Sequence, residues 1–288
     1  MIEDIALRRT DKEYRDFLAW DGDLPVAYIC VQEAFWLHDP QLSYLELYHS
    51  ASLEPEKVNF LVEFGEKIAA EAGRPKITTE VIDLLGDPKF WEARGYVKKL
   101  SGPVSRCVLK EVDFGQFAAT EKLFRDEGYE IVSLGELEAK EDCREKFWRL
   151  REAIFEDVPH SGKREPQTFE RFCELYPKEM AFPRASTFFA VKDGELAGLS
   201  GGEREVIDPS MFDTHLTGTL RSHRRKGVAT SLKLRVIRWC LDNGVATIDT
   251  GNEKDNPMYQ LNIALGFKKF CAFEVWEMPD AEPASKAV

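Results

Sequence analysis

No two of the six cysteines stand in a CxxC spacing; Cys30, Cys107, Cys143, Cys173, Cys240 and Cys271 are scattered along the chain. Neither a disulfide framework nor a zinc ribbon is indicated. Histidine is scarce as well, with five widely separated residues, so metal chemistry has no support and no metal is expected. No apolar run approaches the ~20 residues that a bilayer span needs. The opening MIEDIALRRTDKEYRD is too charged for a secretory leader. The expected location is therefore the cytoplasm, with no membrane partner. Positive charge is outnumbered, 39 Lys and Arg against 51 Asp and Glu, which argues against bulk affinity for nucleic acid. Neither GxGxxG nor GxxxxGK[ST] occurs, so the dinucleotide-binding fold and the P-loop lack their fingerprints. Nothing in the sequence sets an oligomeric state.

What is present is a repeat. FLAWDGDLPVAY at 17–28 matches FAVKDGELAGL at 189–199, with Asp21-Gly22 and Asp193-Gly194 172 positions apart. AEAGRPKITTEVID around Gly73 matches LDNGVATIDT around Gly244, and FWEARGYVKK around Gly95 matches LNIALGFKKF around Gly266, both at an offset of 171. Landmarks in one order at nearly one spacing indicate duplication, although Asp-Gly turns alone are common. A chain of 288 residues is long enough for two domains, each with its own core. The expected division is 1–115 and 116–288.

Periodicity sets the elements of each copy. In the second, 187–191 and 195–205 read as a hairpin and 214–220 as a third strand. A helix follows with Ala229, Leu232, Val236 and Cys240 on its apolar face and Lys233, Arg235 and Arg238 off it, ending at Gly244. Then come a strand at 246–250, a short helix over 256–265 and a strand at 272–277. The first copy repeats this order, β-β-β-α-β-α-β, with its long helix carrying Val58, Leu61, Val62, Phe64 and Ile68. Only the second carries a long segment ahead of its hairpin, where FWRLREAIFEDVP and PQTFERFCELY read as two amphipathic helices. The tail AEPASKAV reads as frayed.

The chemistry concentrates in LRSHRRKGVATSL, 220–232, where Arg221, Arg224, Arg225 and Lys226 crowd before Gly227 in an acidic protein. A strand, a turn and then a helix leave the first helical N–H groups unpaired, and these form an anion site. Gly227 permits a positive φ and close backbone approach, and the cations add charge and forked donors. A solvated basic helix start is the plainer alternative. The matching stretch of the first copy, Leu53 to Val58, has no glycine and more acid than base, so that copy is expected to be silent.

Arg224-Arg225-Lys226-Gly227-Val228-Ala229 resembles the R/Q-x-x-G-x-G/A pyrophosphate loop of the GNAT superfamily of acyl-CoA N-acyltransferases. THLTGTL before it and TGNEKDNPMYQLNIALGF after it resemble the family's flanking elements in order. The duplicated layout is similar to that of tandem members such as the mycothiol synthases. The resemblance implies an α/β (α+β) chain of two tandem GNAT-like domains. Each would be a mixed, mostly antiparallel sheet flanked by helices, with a splay between the central strands. It implies acetyl-CoA as cosubstrate, with pantetheine along Thr217, Gly218, Thr219 and Leu220 and the pyrophosphate on the amides of Arg225, Lys226, Gly227, Val228, Ala229 and Thr230. Asn252, Asn256 and Asn262 would line the mouth of the splay or serve as turn and cap residues. Met258 and Phe267 read as core.

The reaction implied is direct attack of a primary amine, of a small molecule or peptide, on the acyl thioester within a ternary complex. A base must accept the amine's proton. Glu203, Glu205 and His215 are candidates, each also readable as surface charge. The carbonyl oxygen wants a backbone N–H, expected from a bulged strand at Gly218 to Leu220. Many family members place an acidic tyrosine four residues before the glycine of LGF; here that position is Asn262, and Tyr259 one turn earlier is the possible substitute. The helical segment is expected to lid the acceptor side. Its stretch Glu156-Asp157-Val158-Pro159-His160 resembles a D-V-P turn of related tandem proteins or simply ends a helix. Two other readings stay open: a non-catalytic acyl-CoA-binding regulatory protein, and a nucleic-acid face along Arg221 to Arg238.

Overall fold

Each hairpin turns on two residues, and the turns explain the one-residue discrepancy in the repeat. A computed structural model describes residues 4–10, 14–34, 37, 39, 41–159, 166–175, 183–205 and 207–279. His160 and the tail at 281–288 lie outside them. In the first copy Asp21 pairs with Leu24, leaving Gly22-Asp23 as the loop; in the second Lys192 pairs with Glu195, leaving Asp193-Gly194. The loops thus sit at the common offset of 171, and the Asp-Gly pairs are displaced by one. Asp193 and Gly194 both have positive φ, 52° and 81°, the backbone of a type I′ turn that follows the twist of the strands.

The described chain runs β1 (Asp4–Thr10), β2 (Tyr14–Asp21), β3 (Leu24–Glu33), β4 (Leu42–His49), α1 (Pro55–Glu71), β5 (Lys76–Ile82), α2 (Pro88–Ala93) and β6 (Val97–Val108). It continues with α3 (Ala118–Asp126), β7 (Glu130–Ser133), α4 (Leu134–Glu138), α5 (Cys143–Phe155) and α6 (Phe169–Leu175). It ends with β8 (Phe188–Lys192), β9 (Glu195–Arg204), β10 (Met211–Thr219), α7 (Val228–Asp242), β11 (Thr247–Gly251), α8 (Pro257–Ala264) and β12 (Lys268–Glu277). The expected order recurs in both copies, and each gains a strand, β1 or β7, paired antiparallel to the first strand of its hairpin. The short α3 and α4 carried no clear period in the sequence.

Contacts divide the chain into two units, one holding Met1–Gly102 and the chain from Cys271, the other Pro103–Pro159 and Pro166–Phe270. In the first unit the sheet order is β1-β2-β3-β4-β5-β12. Its helix α1 buries Val58, Leu61, Val62, Gly65 and Ala69 against Ile29, Leu45 and Ile77. Phe64 and Ile68 pack at the edge of that core. The strands β4 and β5 run parallel only over Leu42–Tyr44 against Lys76–Thr78, then separate.

The second unit has the order β7-β8-β9-β10-β11-β6, and β11 is flanked by residues 104–108 of β6. Here β10 and β11 run parallel only over Met211–Asp213 against Thr247–Asp249. Beyond Asp213 they part, while β10 stays paired with β9 to Thr219. This is the splay, and both sheets are mixed and mostly antiparallel. One face of the sheet packs on α7 and α3 through Leu232, Val236, Ile237 and Cys240; the other packs on α5 and α6 through Phe147, Leu150, Ile154 and Phe172. Each such fully buried side chain contributes roughly 1.5–3 kcal/mol.

One expectation for α7 is corrected. Lys233 is not off the buried surface but only 4% exposed, because α7 is covered by the sheet and also flanked by α3 and by Phe267. A single apolar stripe describes a helix with one neighbour, and α7 has more than one.

Candidate functional site: the open edge of β10

The splay opens into a cavity of about 580 Å³. Its walls are β10 from Thr214 to Thr219, the start of α7, the end of β11 with the loop to α8, and Ile154, Asp157 and Val158 from the end of α5. The helical segment ahead of the hairpin thus borders the cavity. That segment is pinned by Gln167, whose carbonyl accepts from Trp148 Nε1 at 2.8 Å and whose Oε1 accepts from the buried Arg151 at 3.2 Å.

At the foot of the cavity the backbone is arranged as an anion cradle. Arg225 and Gly227 both have positive φ, 61° and 78°. Gly227 is the N-cap of α7, and no side chain caps it. The first amide of the helix with a partner is Ser231 N–H, on the Gly227 carbonyl at 2.9 Å. Among the described residues nothing accepts from the amides of Arg225 through Thr230. Six consecutive amides are thus without a protein acceptor, and all of their residues but Lys226 line the cavity, where the helix dipole also favours an anion. Gly227 is also required by packing: a Cβ there would lie 2.8 Å from the Thr120 carbonyl oxygen on α3.

The cations of the turn are parcelled out. Arg221 and Arg224 both hold Asp157, whose carboxyl they keep below the usual carboxylate range. Arg224 Nε also donates to the Thr219 carbonyl at 3.3 Å. Lys226 turns away to Glu127 at 3.7 Å and is absent from the cavity wall. His223 meets the Tyr129 hydroxyl at 2.6 Å. Arg225 lines the cavity and has no ion-pair partner among the described residues. Further along, Arg238 binds Glu121 on α3 at 2.5 and 2.9 Å and Arg235 lies over the Phe188 ring at 4.4 Å. Most of the basic residues from 221 to 238 are thus taken up by separate partners, Arg225 and Lys233 excepted, rather than forming a continuous face.

The bulge of β10 lies three residues earlier than the glycine suggested. The register against β9 shifts between Thr214 and Leu216, at His215. Leu220 N–H, expected to face a carbonyl oxygen, is bonded to Ala197 O at 2.9 Å, and Leu220 is absent from the lining. Alternation along the strand then turns Thr217 and Thr219 toward the opening. Gly218 is needed for another reason than a ligand: a Cβ there would stand 2.3 Å from Ile154 Cγ2.

Of the remaining expected residues, Thr217, Gly218, Thr219, Arg224, Arg225, Gly227, Val228, Ala229, Thr230, Asn252, Asn256 and His215 share the lining. His215 Nε2 lies 3.1 Å from Glu203 Oε1, which links two of the base candidates. Glu205 is exposed beyond the end of β9, and Tyr259 is half-buried on α8; neither lines the cavity. Asn256 caps α8, accepting from Met258 N–H at 2.9 Å, and faces the cavity as well. Asn262 is fully buried and donates to Asn252 Oδ1 at 2.6 Å, so it supports the lining rather than joining it. Met258, read as core, is a wall residue; Phe267 is core. Asp157, noted in the sequence only as part of a turn, lines the cavity as well, as do Lys233 and Glu253, which no local motif marks as site residues.

The first unit also has a cleft, about 420 Å³, where β4 and β5 separate beside α1. It offers no comparable cradle: Pro55 has no N–H, and the amides of Lys57 and Val58 are already bonded to Glu54 O at 2.9 and 3.1 Å. No helix among the described residues is long and apolar enough to cross a membrane.

Residues 144–266 match the model of the acetyltransferase (GNAT) family. No curated protein sequence matches the chain. Among solved structures, a tandem GNAT protein from the clavulanic acid biosynthesis pathway is similar with a TM-score of 0.67 at 19% identity, over 94% of this chain and 84% of its own. A GCN5-related N-acetyltransferase from Sphaerobacter thermophilus gives 0.66 at 16% identity, over 94% and 82%. One from Kribbella flavida gives 0.62 at 14%, over 95% and 92%. At such identities the likeness is one of fold. The chain carries, over residues 144–266, a domain of the acetyltransferase (GNAT) family, within a fold that it shares along its length with tandem GNAT proteins.

Proposed function

We propose that this protein is an acyl-CoA-dependent N-acyltransferase that moves an acetyl group from acetyl-CoA to a primary amine of a small molecule or peptide by direct attack in a ternary complex. The observation that carries the reading is the row of six unpartnered amides from Arg225 to Thr230 at the foot of a cleft walled by the open edge of β10. A diphosphate fits those donors, and Arg225 adds charge beside them. An extended amide-bearing arm fits the free edge of Thr217 and Thr219 as an added strand would.

His215 is the base in this reading, because it alone of the candidates lines the cavity, and Glu203 orients its ring. A main-chain N–H of Thr217 or Thr219 meets the carbonyl oxygen as it gathers charge. Binding falls to the second unit, since the first has no comparable run of free amides at its helix start, where Lys57 and Val58 N–H are already bonded.

Calorimetric titration with coenzyme A, beside a thiol-release assay over an amine panel, tests the reading. Binding with turnover on at least one amine is expected, and His215→Ala should lower kcat by about 10²-fold or more. One observation favours a second reading, a non-catalytic acyl-CoA-binding regulatory protein: buried Asn262 stands where the family places an acidic tyrosine. Binding without thiol release on any amine would select it.

A further inference from the structure

Helix α7 runs antiparallel to β10 beneath the open edge. At one end Val228 Cγ1, the Gly218 carbonyl and Thr219 Oγ1 all lie within 3.2 Å of the point where a Cβ on Gly198 would stand. At the other, the rings of Trp239 and Phe212 are 6.0 Å apart. A helix rises about 1.5 Å per residue, so Lys233 stands about 7.5 Å along the axis from Val228. A strand advances about 3.3 Å per residue, so the same distance back along β10 from Thr219 reaches Leu216 or Thr217. Lys233 is therefore level with Leu216 and Thr217 on the open edge, one to two residues from the bulge at His215.

Its environment is unusual for a lysine. It lines the cavity yet is 4% exposed, and among the described residues nothing accepts a hydrogen bond from its amine. The ring of Phe267 lies 5.4 Å from Nζ. Burial lowers its pKa from the ordinary 10.5 to about 8. A buried amine without a partner is a cost to the fold that a leucine here would avoid.

The proposed reaction leaves one requirement without a residue. As the acceptor nitrogen bonds to the acyl carbon, the carbon–sulfur bond breaks and its electron pair leaves on sulfur. That thiolate needs a proton, and a side-chain amide at 262 has none to give. We propose that Lys233, as the ammonium, faces the thioester sulfur and delivers a proton to the departing coenzyme A thiolate. His215 takes one proton from the acceptor and Lys233 supplies one to sulfur, so a single proton returned through solvent restores both groups. This rests on the acyltransferase reading.

The groups around Lys233 leave it as the donor. Cys107 on β6 is the titratable neighbour that acts on it, and burial pushes that thiol up to about 11. Glu111 and Lys268, which act on Cys107, are paired with each other at 3.2 Å. Across the cavity His215 is paired with Glu203, Glu253 accepts from Asn256, and Asp157 is held by Arg221 and Arg224.

The test compares coenzyme A with desulfo-coenzyme A, binding each to the full chain and to its Lys233→Met and Lys233→Arg variants between about pH 6.5 and 9.5. In the parent protein the preference for coenzyme A should pass through a maximum between the pKa of Lys233, about 8, and that of the thiol, where ammonium and thiolate coexist. Lys233→Met should bind both ligands alike at every pH, and its kcat should fall by about 10²-fold. Lys233→Arg should keep the preference, being permanently charged, but lose turnover, because arginine does not give up its proton. Equal weakening of both ligands in Lys233→Met would mean a contact to phosphate or amide and would overturn the proposal, as would an unchanged kcat. Absence of coenzyme A binding to the parent protein would overturn the acyltransferase reading along with it. Thermal melting of each variant checks that it folds.

Discussion

Arg221 donates to Asp157 Oδ1 through Nη2 at 2.6 Å and Nε at 3.0 Å, tying the end of α5 to the cationic turn. Arg224 binds the other carboxylate oxygen. The carboxylate thus occupies two of the cations beside the amide cradle.

Removing that carboxylate should free both arginines for the ligand. Asp157→Ala is expected to tighten coenzyme A binding roughly two- to fivefold at low salt, with the gain fading as salt screens it. Calorimetry at two ionic strengths measures this. Weaker binding instead would show that Asp157 holds the arginines in place.

Gly227 meets two demands, a φ of 78° and a Cβ position 2.8 Å from the Thr120 carbonyl. Gly227→Ala should cost about 2 kcal/mol of stability and weaken coenzyme A more than tenfold. Glu56→Ala, at the matching place in the first unit, should leave coenzyme A affinity unchanged. Equal losses at both positions would refute the silence of the first unit.

Gly218 and Ile154 form a coupled pair across the cavity wall. Gly218→Ala drives a methyl toward Ile154 Cγ2 and should destabilise the protein by about 1–3 kcal/mol. Adding Ile154→Val should recover part of that loss, and denaturant unfolding of the double-mutant cycle should show non-additivity of at least about 0.5 kcal/mol.

Lys233 also gives stability a pH dependence of definite sign. Its folded pKa is lowered to about 8 from 10.5, so between those values the unfolded chain binds more protons than the folded one. This contribution to stability therefore rises with pH from about 8 to 10.5, by an upper bound of about 3 kcal/mol. In Lys233→Met the rise should vanish and stability near pH 7 should exceed that of the parent; denaturant midpoints across the range read both.

The duplication could be read from the chain as self-similarity, and both hairpins, the long helices and the glycine-bearing cationic turn because each depends on residues within a few positions of one another. Alternation, a helical period and a turn residue are local physics. The bulge at His215 escaped that reading because a register shift is a property of two strands, and β9 sets where β10 must give way. So did the fate of the cations: Asp157 lies 64 residues from Arg221, and no spacing rule links them. The last strand, in which Phe273 to Glu277 pair with Thr78 to Ile82, is likewise chosen by a partner far away in the chain. Lys233 marks the limit most plainly. Its place on the helix marked it as a surface charge, yet neighbours on several sides buried it at the wall of the cleft, since burial depends on everything packed around a residue and the sequence names only what precedes and follows it.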